Sequence, residues 1–389
     1  MRALATVFWK ELTENARDRR TVISALLLGP IGAPLLFTVM MNVSLARGHE
    51  RAERPLELPV AGGEHAPNLL GYLRGQGVRI EPFAGDPAAA VRGHAQRLVL
   101  VIPAAIGTDL ERGTPAAVRL FTDSSDTSAG SDRARAEALL RGYANRVAAW
   151  RLEARGIAPS VLQPIVVDEI DVSTPASRAV ALLGMLSYFI VFATLMGGVY
   201  VTIDSTAGER ERGSLEPLLT LPVARGALVG GKLLAAAAWM VVSLSLTVSA
   251  FTVSLRFVRL DALGMTANLG PRVALAIIAL MLPFVLLGAA LMSCVASFTR
   301  SYREAQSWLT AVLLVPTVPI MFAAIYQVKE RLGLMWIPSL GQHLLINSLL
   351  RAEPLDPAFV LTSVLATAAA ALVFGVAAAR LYGREQILG

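Results

Sequence analysis

Six stretches of the chain are almost wholly apolar over about the twenty positions that a helix needs to cross some 30 Å of hydrocarbon. They run over residues 21–45, 178–203, 226–255, 272–298, 306–327 and 357–379. Arg256, Arg259 and Asp261 interrupt the pattern between the third and fourth, where the ends are least sharply drawn. Pro30, Pro34, Pro283, Pro316 and Pro319 fall inside these runs and are expected to kink their helices, as membrane helices tolerate. About twenty residues precede the first run, among them Lys10, Glu11, Glu14, Arg17, Asp18, Arg19 and Arg20, and its apolar core is long. It is therefore expected to stay as an anchor rather than to be cleaved as a signal.

Between the first two runs the pattern changes. Residues 46–175 are charged and rich in glycine and proline, with short β-like runs "LELPVAG" (56–62), "RLVLVIP" (97–103), "AVRLFTD" (117–123) and "PIVVDEIDV" (164–172). A helical stretch over 128–155 places Ala134, Ala138, Leu139, Tyr143, Val147 and Trp150 on one apolar face, with Arg135, Glu137, Arg141 and Arg146 on the others. The expectation is a small mixed α/β domain inserted into a polytopic α-helical membrane protein of six transmembrane helices.

Composition agrees. The chain is 54% hydrophobic and 16% charged, with a mean hydropathy of +0.57, far from an ordinary soluble domain. Its single cysteine, Cys294, lies in the fourth span, so the inserted domain holds no disulfide. Short loops rich in lysine and arginine stay on the cytoplasmic side. Arg2, Lys10, Arg17, Arg19 and Arg20 precede span one; Arg210, Arg212, Arg225 and Lys232 follow span two; Arg300 and Arg303 follow span four; Arg380 and Arg384 end the chain. The opposite loops carry fewer, namely Arg256, Arg259 and Arg272, then Lys329, Arg331 and Arg351. Both termini are thus expected in the cytoplasm, with the 46–175 domain and the 328–356 loop outside the cell membrane.

Enzymatic chemistry finds little footing. His49, His65, His94 and His343 have no paired spacing of a zinc site and read as solvated surface residues. The spans carry almost no ionisable groups for acid–base work. Gly226, Gly231 and Lys232 satisfy the first seven positions of a phosphate-cradling loop, but Leu233 stands where a hydroxyl should reach magnesium, and an apolar span follows. Lys232 reads instead as a residue at the foot of span three snorkelling to the lipid interface. No catalytic, metal or cofactor residue is expected, and nucleic acid is not expected as a partner. Ser243, Ser245, Thr247 and Ser249 in span three scatter around the helix and are expected to bond back to it rather than to line a path.

Two short segments are amphipathic. In residues 1–20, Leu4, Val7, Phe8, Glu11 and Leu12 share a face that is apolar apart from Glu11, leaving Lys10, Arg17, Arg19 and Arg20 free for lipid headgroups. This is the pattern of a helix lying on the inner membrane surface. In the 204–225 connector, Thr206 and Glu209 have capping-box spacing, Gly213 is a natural break, and Ser214 and Pro217 suit the start of a second short helix ended by Pro222. There Leu215, Leu218 and Leu219 form one apolar face, too short to be stable without something to cover it.

The stretch "GERERGSLEPLLTLPVARGALVGGK" (208–232) resembles the cytoplasmic connector of ABC exporter permeases of the ABC-2 class, in particular the sodium-extrusion (NatB-like) branch. "VFWKELTENARDRRT" (7–21), "IPSLGQHLLINSLLRAEP" (337–354) and "RLYGREQIL" (380–388) are similar to that branch's N-terminal interfacial helix, last external loop and tail. The resemblance implies a dimeric permease subunit of the bacterial inner membrane, bound to two copies of a separate ATPase that holds ATP and Mg. It further implies that 204–225 is the coupling helix. Glu209, Arg210, Glu211, Arg212 and Gly213 would be its charged elbow, and Leu215, Leu218 and Leu219 the face inserted in the ATPase. The exported substrate stays open between sodium ions and lipids, drugs or peptides; no acidic residue sits in mid-span to hold a cation. Two other readings remain. One is a membrane-anchored receptor or assembly factor working through the 46–175 domain. The other is an ion-driven transporter, which would be expected to show repeated halves that this chain lacks.

Overall fold

The computed structural model describes residues 2–123, 126, 129–162, 180–214, 217–218, 220, 222–258, 260, 268–326 and 328–382. Among them, six helices are long and apolar enough to cross a membrane: Thr21–Val43, Gly184–Glu211, Arg225–Phe257, Pro271–Ala296, Tyr302–Ala323 and Pro357–Leu381. They are taken in chain order as spans one to six. The chain divides into two compact units, Met1–Leu45 with Val172–Gly389, and Ala46–Asp171.

In the first unit, span one passes from the helical turn Arg19–Ile23 into one π-helical turn, Ser24–Leu28, and breaks around Pro30 before the helix Gly32–Glu53 resumes. Pro316 similarly divides span five into Tyr302–Leu314 and Thr317–Tyr326. Pro283 sits inside a continuous helix, and Pro34 and Pro319 occupy first turns, where the missing N–H leaves no bond unmade. The core lies among spans two, three and four. Close approach there depends on Gly197 of span two, since a Cβ at that position would lie 2.4 Å from the Cβ of Ser243. Ser243 uses the closeness to donate to the Ala193 carbonyl at 2.9 Å, while Thr247 bonds back to the Ser243 carbonyl at 2.7 Å. Both hydroxyls are buried.

The segment between spans five and six is more than a loop. It contains the helix Leu340–Leu350, buried along most of its length against spans two, four and six. Gln342 donates to Thr367 of span six at 2.7 Å and accepts from the backbone N–H of Ser339 at 2.9 Å.

The second unit is a mixed α/β fold, as the sequence predicts. Strands β1 (Glu57–Ala61), β2 (Arg79–Pro82), β3 (Leu98–Val101) and β4 (Arg119–Thr122) form a sheet in the order β2-β1-β3-β4. β1 pairs in parallel with β2 and β3, and β4 runs antiparallel to β3. Helices Pro67–Gly75 and Pro87–Arg92 make the crossovers between parallel strands, and Ile106–Arg112 lies in the connection from β3 to antiparallel β4. The expected strand at 164–172 lies outside the described residues. The helix Gly130–Glu153 matches its expected place, and its buried face keeps Leu139 and Tyr143 of the expected one but is otherwise shifted. Ala136 is buried and Leu139, Leu140 and Tyr143 pack on the sheet's core, whereas Ala134 and Ala138 are exposed and Trp150 lies in solvent beneath the Arg146 guanidinium.

Candidate functional site: the connector after span two

Span two does not stop at a capping box. Its helix passes through a π-helical turn at Asp204–Gly208 and ends with Glu209–Glu211, and the Thr206 hydroxyl donates to the Thr202 carbonyl within it. Gly213 then breaks the helix, as its sequence position predicts. Its φ of 68° is open to glycine at no steric cost, and it allows the N–H of Gly213 to reach the Arg210 carbonyl at 3.0 Å and that of Ser214 the Glu209 carbonyl at 3.0 Å.

The charged side chains of this turn are held from within the protein. Lys232 donates to Glu209 Oε2 at 2.6 Å and to Glu11 Oε1 at 2.8 Å, and all three residues are buried. Lys10 closes the cluster, with its Nζ 3.1 Å from Glu209 Oε1, 3.3 Å from Glu11 Oε1 and 3.2 Å from Glu14 Oε2. Partial burial acts to lower the Lys10 pKa, but the Glu11 and Glu209 carboxylates outweigh it and hold the ammonium above its ordinary value. Arg210 donates to the carbonyls of Thr299 and, at 3.1 Å, Ser297, just past span four. Glu211 accepts from the Tyr302 N–H at 2.7 Å, and Arg212 pairs with Asp204 at 2.9 Å.

Lys232 therefore does not snorkel to lipid. Glu11, the polar exception on the amphipathic face, is its partner, and the glycines before Lys232 explain how the two meet. The helix Arg2–Arg17 lies against span three, where a Cβ on Gly231 would stand 2.7 Å from Val7 and 3.1 Å from the Leu4 carbonyl. The imitation of a phosphate loop is thus a helix-docking site. The docked stripe is Leu4, Val7, Glu11 and Asn15; Phe8 and Leu12 are half-buried at its edge. Arg17 and Arg19 are exposed, as is Trp9 at 62%; the Arg20 side chain is not described.

Of the expected elbow, Glu209 is buried and Arg210 half-buried, while Glu211, Arg212 and Gly213 are exposed. Leu218 is half-buried beside exposed Pro217; Leu215 and Leu219 lie outside the described residues. Among the described residues no group of three or more histidine, cysteine or acidic side chains is placed to hold a metal ion.

One histidine departs from expectation. His65 and His94 are exposed, but His343 is buried in the helix Leu340–Leu350, with Nδ1 2.6 Å from Ser187 Oγ of span two and Nε2 3.2 Å from the Asn347 amide. Burial pushes its pKa down from 6.5 to about 4. Between these values the unfolded chain binds the proton and the folded chain does not, so stability is full above pH 6.5 and drains as pH falls towards 4. The loss should reach roughly 3 kcal/mol. Thermal unfolding midpoints of the purified protein between pH 7.5 and 4.5 should show that decline, and His343→Gln should flatten it; an equal slope in the variant would place the titrating group elsewhere.

Comparison with known proteins follows the whole chain. The family described as ABC-2 family transporter protein matches residues 5–385. The chain is also 25% identical over 374 residues to the ABC transporter permease protein NatB of Bacillus subtilis (strain 168), covering 92% of each.

Proposed function

This chain belongs to the ABC-2 family of transporters, and we propose that it is the membrane permease subunit of an exporter driven by ATP hydrolysed on a separate ATPase subunit. The observation that carries this reading is the connector after span two. Its root is fixed to spans three and four and to the N-terminal helix by Glu209 and Arg210, while Arg212, Gly213, Ser214 and Pro217 remain exposed. A segment anchored at its base and exposed at Arg212, Gly213, Ser214 and Pro217 is suited to receive a partner and pass its motion to several spans at once.

In this reading both termini and the connector face the cytoplasm, the 46–171 unit lies outside, and two permease subunits pair with two ATPase subunits. ATP closes the ATPase pair, and the connectors convert that closure into an opening of the bundle outwards. Sodium is the first substrate to test, because the chain as a whole is similar to the sodium-extrusion branch, although the connector motif itself marks only the ABC-2 class. Lipids, drugs and peptides are the alternatives where sodium flux is not stimulated.

Co-expression with candidate ABC ATPases tests the proposal. One of them should co-purify in equal amount with the permease, and ATP hydrolysis should reside in that subunit. Transporter-rate hydrolysis by the permease alone, or co-purification of none, would defeat it.

A further inference from the structure

The buried cluster at the foot of span three joins elements that the sequence keeps far apart. Lys232 lies 221 positions from Glu11 and 23 from Glu209, yet its ammonium holds both carboxylates. A single ammonium has three protons, enough to donate to both buried acids at once and so to hold them together. Removing one member of such a buried set leaves uncompensated charge, whereas the intact set fixes geometry more than it adds stability.

The N-terminal helix is also tied firmly at its other end. Only Asp18 separates Arg2–Arg17 from the helical turn Arg19–Ile23 that opens span one, and Asp18 receives the Thr21 hydroxyl at 2.7 Å. The Asp18 N–H meanwhile reaches back to the Asn15 carbonyl at 3.3 Å. A pull on the N-terminal helix thus reaches span one through a short, bonded junction.

We propose that Lys232 is a positioning residue which clamps the connector to the N-terminal helix, so that the two move as one body and connector motion reaches span one as well as spans two and three. The clamp rests on the reading of the connector as the segment the ATPase moves. Glu11 supplies the helix side, Glu209 the connector side, and Gly230 and Gly231 the clearance that brings Val7 and Leu4 onto span three. Lys10 shares both acids from the outer side and remains half-exposed, so the inner ammonium of Lys232 is the part that water cannot replace.

Spin labels test this in the full-length permease, carrying Cys294→Ala, assembled with its ATPase in lipid nanodiscs. One pair, at exposed Trp9 and Ser214, spans the clamp; a second, at Ser214 and exposed Glu353, reports displacement of the connector. On trapping with ATP and vanadate, the 214–353 distance should shift while the 9–214 distance stays unchanged. In Lys232→Met and in Glu11→Gln the 9–214 distribution should broaden on trapping. Glu11→Gln keeps the Lys232–Glu209 pair, so it carries the test where Lys232→Met does not accumulate. A 9–214 distance that shifts in the unaltered clamp, or that stays fixed in Glu11→Gln, overturns the clamp. A 214–353 distance that ignores nucleotide overturns the reading of the connector, and the clamp with it.

Discussion

With Leu215 and Leu218 both changed to aspartate, the permease should reach the membrane in normal amount and yet lose its ATPase subunit, with an affinity lower by a factor on the order of 100. The physical ground is desolvation. Leucines at i and i+3 of a two-turn segment give an apolar face that is stable only when covered, and an aspartate pressed into a complementary pocket would be a buried charge without a partner. A penalty of about 3 kcal/mol gives the hundredfold loss. The bundle should be indifferent, because Glu209 and Arg210 anchor the connector through contacts upstream of both leucines. Binding of purified ATPase to membranes of known permease content measures the effect. Undiminished binding would move the docking surface away from the connector tip.

The second large effect concerns Gly231. A leucine there has no room beside Val7, whose Cβ and Cγ1 would both lie 2.7 Å from the new Cβ, nor beside the Leu4 carbonyl at 3.1 Å. Backbone cannot yield as a flexible side chain does, so the N-terminal helix must leave span three and take Glu11 away from Lys232. Overpacking costs typically about 1–3 kcal/mol, and a buried ammonium deprived of an acid adds to it. In a Cys294→Ala background, Val7→Cys should be nearly inert to a membrane-impermeant maleimide while Gly231 is retained. In Gly231→Leu it should label at least about ten times faster, the ratio expected from 1.4 kcal/mol of lost docking. Equal labelling would mean that the helix docks without the glycine.

The six spans were legible because length and apolarity are properties of a stretch by itself, and the break at Gly213 was legible because only local geometry decides it. Strands β1, β3 and β4 show as apolar, β-branched runs. β2 does not, since Arg79 and Glu81 leave this edge strand mostly exposed and without apolar alternation. The buried face of Gly130–Glu153 is set by the sheet beneath it, which takes Ala136 and leaves Trp150 to Arg146. The roles of Lys232 and Arg210 were hidden for a related reason. Their partners, Glu11 and the carbonyls of Ser297 and Thr299, lie far along the chain, and carbonyl acceptors carry no side-chain signature. Two signals did point to the docking site: one acid on an otherwise apolar helix face, and one lysine placed after paired glycines at the foot of a span.

A photo-crosslinking amino acid at Leu218, with Glu353 as the control position, tests most directly whether an ATPase moves this permease through its connector. In membranes containing both proteins, Leu218 should trap the ATPase subunit and Glu353 should not. Crosslinks from Leu218 confined to the permease's own chain, in membranes where the two proteins demonstrably co-purify, would contradict the account.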